Sequence, residues 1–193
     1  MGPVLENIID GVLFVANSYL LLRIAFTKQE YFKSHFFLLY LITGAYAMIS
    51  VIGTVVAVRF THTPQTAWLY KLGYMMNVLG VTGSTIGKGI IATHRYVVLR
   101  SAHLNETAWS NRILGFLAIV QFIPAGMRSS FIATCGIVYK ESDGIQVVDY
   151  LDKACVLVDK PINCAFYIYY IFHSIVFTAL TSRELYKLTQ NSE

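Results

Sequence analysis

The chain has 193 residues, of which 55% are hydrophobic and 13% charged, and its net charge is +4. A soluble domain carries roughly 25% charged residues, so this composition excludes a globule with a polar coat, and the small, scattered positive charge gives no nucleic-acid footprint. The charges cluster between long uncharged runs, which is the pattern a bilayer imposes.

A helix needs about 20 mostly apolar residues to cross a membrane, and five segments are predicted to do so. The first covers residues 5–26, with Asp10 and Arg23 near opposite ends. Its start is acidic (Glu6, Asp10) and no small-residue cleavage site follows, so it reads as an uncleaved membrane helix rather than a secretory signal. The second, residues 36–58, runs 23 residues without a formal charge. The third covers residues 68–99, the fourth 113–133 with Pro124 inside, and the fifth 162–180, rich in aromatics. The expected fold class is therefore all-α: one polytopic bundle of membrane helices forming a single transmembrane domain over residues 1–193.

Between the fourth and fifth helices lies a predicted structured outer loop, residues 134–161. The runs CGIVY and IQVVDY flank Glu141-Ser142-Asp143-Gly144, two β-rich runs around an Asp-Gly turn, and they read as a hairpin. Three cysteines fall in this half of the chain: Cys135, Cys155 and Cys164. Cys135–Cys155 would staple the base of the hairpin and Cys155–Cys164 competes with it. The first is favoured because Cys164 falls inside the fifth predicted helix.

Basic residues mark cytoplasmic loops. Lys28 and Lys33, then Arg100 and Arg112, then Arg183 and Lys187 all fall on one side of the alternating helices. The acidic N-terminus and the acid-rich loop before the fifth helix fall on the other, with Arg59, His62 and Lys71 as a mild dissent. The N-terminus is expected outside and the C-terminus in the cytoplasm, so the sequon Asn105-Glu106-Thr107 is expected to stay unglycosylated.

The third helix carries the residues of most interest. GSTIGKG looks like a phosphate loop but fails on spacing, because Thr82 and Gly89 stand where that loop needs Gly and Ser or Thr. Gly80, Gly83, Ser84 and Gly87 give it a small-residue face for close helix packing, which makes it the central helix. Lys88 is a charge within a membrane-length run, expected to face a buried polar contact or to snorkel to the interface. His94-Arg95-Tyr96 closes the helix at the cytoplasm, as an interfacial anchor or as a switch. Asn77, Thr82 and Thr85 are expected to bond neighbouring helices, His173 to sit inside, and Arg128 to snorkel outward. No GxSxG, HExxH, intramembrane acid pair or metal-ligand spacing is present, so no enzyme, cofactor or metal is expected.

These features together resemble the first five helices of a rhodopsin-like receptor. The stretch GKGIIATHRYVVLRS resembles the third helix of nematode serpentine chemoreceptors of the Srg superfamily, most closely the Srv class, where His-Arg-Tyr stands for the Asp/Glu-Arg-Tyr of other receptors. The resemblance implies that Arg95 and Tyr96, with His94 in place of the usual acid, couple a heterotrimeric G protein. It also implies that Tyr74, Asn77, Phe166 and Tyr170 are candidates to line a pocket for a small environmental or pheromone-like molecule. The implied location is the plasma or ciliary membrane of a sensory neuron, where receptor oligomers are possible. Two departures accompany it: the outer start of the third helix has no cysteine, and the chain ends after helix five, so a truncated form lacking helices six and seven is expected. The alternatives are a small transporter or channel subunit, with Lys88, Asn77 and His173 along its path, and a non-signalling receptor fragment.

Overall fold

The structure is a computed structural model that describes residues 3–27, 35–59, 66–100, 111–142, 145–150 and 153–190. The sequon at Asn105 and the Asp143-Gly144 turn lie outside the described residues. Five helices and one hairpin follow in order: α1 (Pro3–Phe26), α2 (His35–Arg59), α3 (Ala67–Arg100), α4 (Asn111–Thr134), β1 (Ile137–Ser142), β2 (Ile145–Tyr150) and α5 (Lys153–Gln190). The fold is the expected all-α bundle, with the hairpin as the one strand-forming unit among the described residues.

The hairpin pairs Ile137 with Tyr150 at its base and Ser142 with Ile145 at its tip, antiparallel throughout. That register leaves only positions 143 and 144 to connect the strands, the two-residue spacing that an Asp-Gly pair suits. Of the two cysteine pairings left open, Cys135–Cys155 is the one formed, with the Cα atoms 6.1 Å apart, and Cys164 is a free, exposed thiol.

Both predicted boundaries of the fifth helix need correction, for it runs past the expected end at residue 180 to Gln190 as well as starting early. The fifth helix starts at Lys153, nine residues before the expected start, and Pro161 lies within it. Proline removes a backbone donor and usually ends or kinks a helix, which is why the sequence suggested a start at residue 162. Here the disulfide at Cys155 fixes the first turn, and the carbonyl four residues before Pro161 belongs to Leu157, an exposed residue on the outer side.

At 34 residues, α3 is about 51 Å long and packs on α2, α4 and α5, while α1 packs on α2. Close approach explains the glycines of α3. A Cβ on Gly73 would sit 2.6 Å from Ala57 N, and one on Gly80 would sit 2.7 Å from Ser50 Cα. Both are nearer than atoms can come, so the α2–α3 contact is backbone against backbone.

Among the described residues, three helical stretches are long and apolar enough to cross a membrane: Phe37–Ala57, Arg112–Thr134 and Lys153–Lys187. The described apolar part of α1, Phe14–Phe26, is shorter. α3 does not qualify despite its length, because glycines, Lys71, Lys88 and Arg95 dilute it. The reason is its position: a helix enclosed by three others faces protein, not lipid, and its Thr82, Ser84 and His94 are buried. The outward faces are the apolar ones. Val15, Phe26, Met127, Ile168, Phe172 and Ile175 are each more than 60% exposed. A water-soluble monomer rarely shows contiguous apolar surface on this scale, whereas lipid accepts it.

Candidate functional site: a buried ion pair and an inner basic cavity

Two polar clusters lie along α3, one near the hairpin and one toward the opposite end. The first is built on Arg128 of α4. Two helical turns separate it from Cys135 on one face, and one turn separates Asp159 from Cys155 on α5, so the disulfide and the charges tie the same two helices. Arg128 Nη2 donates to Asp159 Oδ1 at 2.8 Å and Nε to the same oxygen at 3.3 Å. Arg128 Nη1 donates to Thr82 Oγ1 at 3.2 Å, and Tyr74 Oη donates to Asp159 Oδ2 at 3.1 Å. The guanidinium lies 5.9 Å from the Phe166 ring centre. Both charged residues are buried, Arg128 at 7% exposure and Asp159 at 4%.

This cluster corrects the expectation that Arg128 snorkels outward. Leaving an unpaired guanidinium inside the bundle would be expensive, and the pair with Asp159 satisfies it. The aspartate itself was missed by sequence reasoning, because it was assigned to a loop. The stripe Cys155, Asp159, Phe166, Tyr170, His173 and Phe177 repeats at three, four and seven residues, and that spacing carried the signal for a helix starting earlier.

The second cluster is a cavity of about 400 Å³ between α3, from Lys88 to Arg95, and α5, from Tyr170 to Ser182, with Tyr40 of α2 also lining it. Lys88 and Arg95, seven residues apart on one face of α3, line it together with Tyr170, Ser174, Thr178 and Thr181 of α5. Lys88 is exposed to this space, which corrects its expectation as a buried polar switch, and its ammonium lies 5.7 Å from the centre of the Tyr170 ring. Arg95 is likewise exposed, while the adjacent His94, about 100° further round the helix, is buried. Tyr96 packs edge-on against Phe177 at 5.8 Å between ring centres and accepts a hydrogen bond from Arg100 Nη1 at 3.1 Å. One turn inward, the Thr93 hydroxyl lies within hydrogen-bond distance of both Gly89 O, at 3.1 Å, and His173 Nε2, at 3.2 Å.

The four expected pocket residues are therefore not one group. Tyr74 and Phe166 surround the Arg128–Asp159 pair, while Tyr170 belongs to the inner cavity. Asn77 turns to α2 and its Oδ1 accepts a hydrogen bond from Ser50 Oγ at 3.0 Å, the interhelical role also foreseen for it. Thr82 likewise bonds a neighbouring helix, through Arg128. No protein-family model matches the chain, and no curated protein matches it.

Proposed function

We propose that this chain is a chemosensory G-protein-coupled receptor of the serpentine class that its third helix resembles, with the hairpin outside the cell and His94-Arg95-Tyr96 at the cytoplasmic surface. Its ligand is then a small environmental or pheromone-like molecule, and its cell a sensory neuron. The observation that carries the reading is the position of Arg95: it is exposed, at the end of the helix that packs on α2, α4 and α5, and it lines an open cavity. A cationic side chain there stands where a partner's C-terminal helix would meet the bundle, and its helix touches most of the bundle through which a signal would pass. In the same reading Tyr74 and Phe166, beside the disulfide-tied end of α5, stand nearest to a ligand arriving from outside.

The test is a second-messenger assay in cells expressing the tagged chain with a panel of small volatile and water-soluble compounds. A ligand-dependent response that Arg95→Ala removes, with surface expression unchanged, supports coupling through this residue. A solute flux that Lys88→Met abolishes, without any signalling, would instead favour the transporter reading.

A further inference from the structure

The two halves of α4 are held differently. Among the described residues, every hydrogen bond from an α4 side chain to another element starts at Arg128 or Ser129, and the disulfide at Cys135 follows just past the helix end. Pro124 stands between these ties and the inner half of the helix. It has no N–H to give the Val120 carbonyl, so the helix has its weakest joint there.

Two buried polar groups lie on the inner side of that joint. Gln121 is 0% exposed, and neither its amide nitrogen nor its amide oxygen has a hydrogen-bond partner among the described residues. Thr43 of α2 is 5% exposed, and its hydroxyl is unpartnered too. Both face α3 at neighbouring levels. Thr43 lies directly against Gly87, where a Cβ would collide with its Oγ1. As consecutive spanning helices, α3 and α4 run in opposite directions, and Ser129 Oγ donates to Met75 O. Eight residues inward on each helix therefore sets Gln121 level with Gly83, about 6 Å along the axis from Gly87. A helical side chain leans toward the N-terminus of its own helix, which for Gln121 is toward Gly87. α2 and α4 also touch each other directly. A buried amide without a partner is costly in apolar surroundings, and a threonine hydroxyl supplies both a donor and an acceptor.

We propose that Thr43 and Gln121 are the two halves of a latch, open in the arrangement described and closed by a hydrogen bond when the inner half of α4 swings toward α2 about Pro124. The bundle then has two arrangements that differ at the inner end of α4, while its disulfide-tied outer end stays fixed. The inference stands on the two orphaned groups and the proline joint, and does not depend on signalling.

Two measurements on the full chain test it. Gln121→Leu and Thr43→Val replace each orphaned group by an apolar one of similar size. Each is expected to raise the melting temperature in detergent, since the open arrangement loses only an unsatisfied group. A fall in either would show that the group is already bonded and overturn the latch. The swing is read from spin-label distances in a Cys164→Ser background, which leaves no other free thiol. Labels at Leu38→Cys and Phe116→Cys, exposed sites inward of the two latch residues, are expected to give a main distance and a shorter, minor one. The shorter distance is expected to vanish in Gln121→Leu, in Thr43→Val and in Pro124→Ala. Labels at Val55→Cys and Met127→Cys, exposed sites on the tied side of Pro124, are expected to give a single distance. A single distance from the inner pair, or a shorter one that survives Gln121→Leu, refutes the latch. Two distances from the outer pair refute the hinge at Pro124.

Discussion

At position 159 a carboxylate sits in the bundle bonded to an arginine and a tyrosine, and the arginine in turn bonds a threonine. Buried ion pairs are asymmetric: the pair as a whole contributes little, whereas removing one member leaves the other charge uncompensated. Asp159→Ala is therefore expected to destabilise the chain by about 3–5 kcal/mol, while Arg128→Met with Asp159→Leu returns to near wild type. Thermal unfolding of the three proteins in detergent checks this, and a single variant that melts with the wild type would refute it. The residue scale is also where the sequence was hardest to read. Asp159 and Arg128 lie 31 positions apart, and no local pattern links them. Lys88 was visible as an anomaly, but its exposure to a cavity depends on where α5 runs.

Helices were legible in proportion to how much lipid they face. α2 and α4 announce themselves as long, mostly apolar runs because their outward faces meet hydrocarbon. α3 was found by length and by its small-residue face, since its surroundings are other helices. That face also allows a contrast between two glycines in helices. Gly80 lies against the α2 backbone, whereas a Cβ on Gly115 of α4 meets nothing within 4 Å. Gly80→Val is expected to abolish well-folded protein or lower the melting temperature sharply, because a Cβ there forces α2 and α3 apart. Gly115→Ala is expected to stabilise by about 0.5–1 kcal/mol, since it only removes glycine's backbone freedom. Size-exclusion profiles taken after heating separate these outcomes, and equal behaviour of the two variants would contradict the packing described. The start of α5 was misread for a reason that belongs to this scale: Pro161 gives a strong local stop signal, and the disulfide and ion pair that outweigh it are tertiary.

For the whole molecule, the disulfide closes a loop with a sequence separation of 20 and joins the ends of α4 and α5 around the hairpin. A loop of this size contributes about 3 kcal/mol through the unfolded chain. Replacing Cys135 and Cys155 together by serine is expected to lower stability by that order, and reduction of the wild type to do the same. Cys164→Ser is expected to change nothing, because that thiol is free and exposed. Melting curves with and without reductant test the set; a wild type indifferent to reductant would show that the bridge carries no stability. The bundle's architecture was legible as five helices and a hairpin, whereas its two polar clusters had to be seen, because each draws residues from at least three helices.

The double tie between α4 and α5 has a mechanical consequence. It pins α5 at one end, and beyond the pin the helix is supported along the α3 side by Tyr170, His173 and Phe177. The α5 residues at the far side of the inner cavity, Ser174 to Ser182, lie about 23–35 Å along the axis from Asp159. α5 is in effect a lever with its fulcrum at the hairpin. A tilt of about 5° at the fulcrum, too small to break the ties, widens the cavity mouth by about 2–3 Å over an arm of that length. The gain is purely geometric: a displacement too small to notice beside the disulfide becomes, at Arg95, about half a helix radius of clearance.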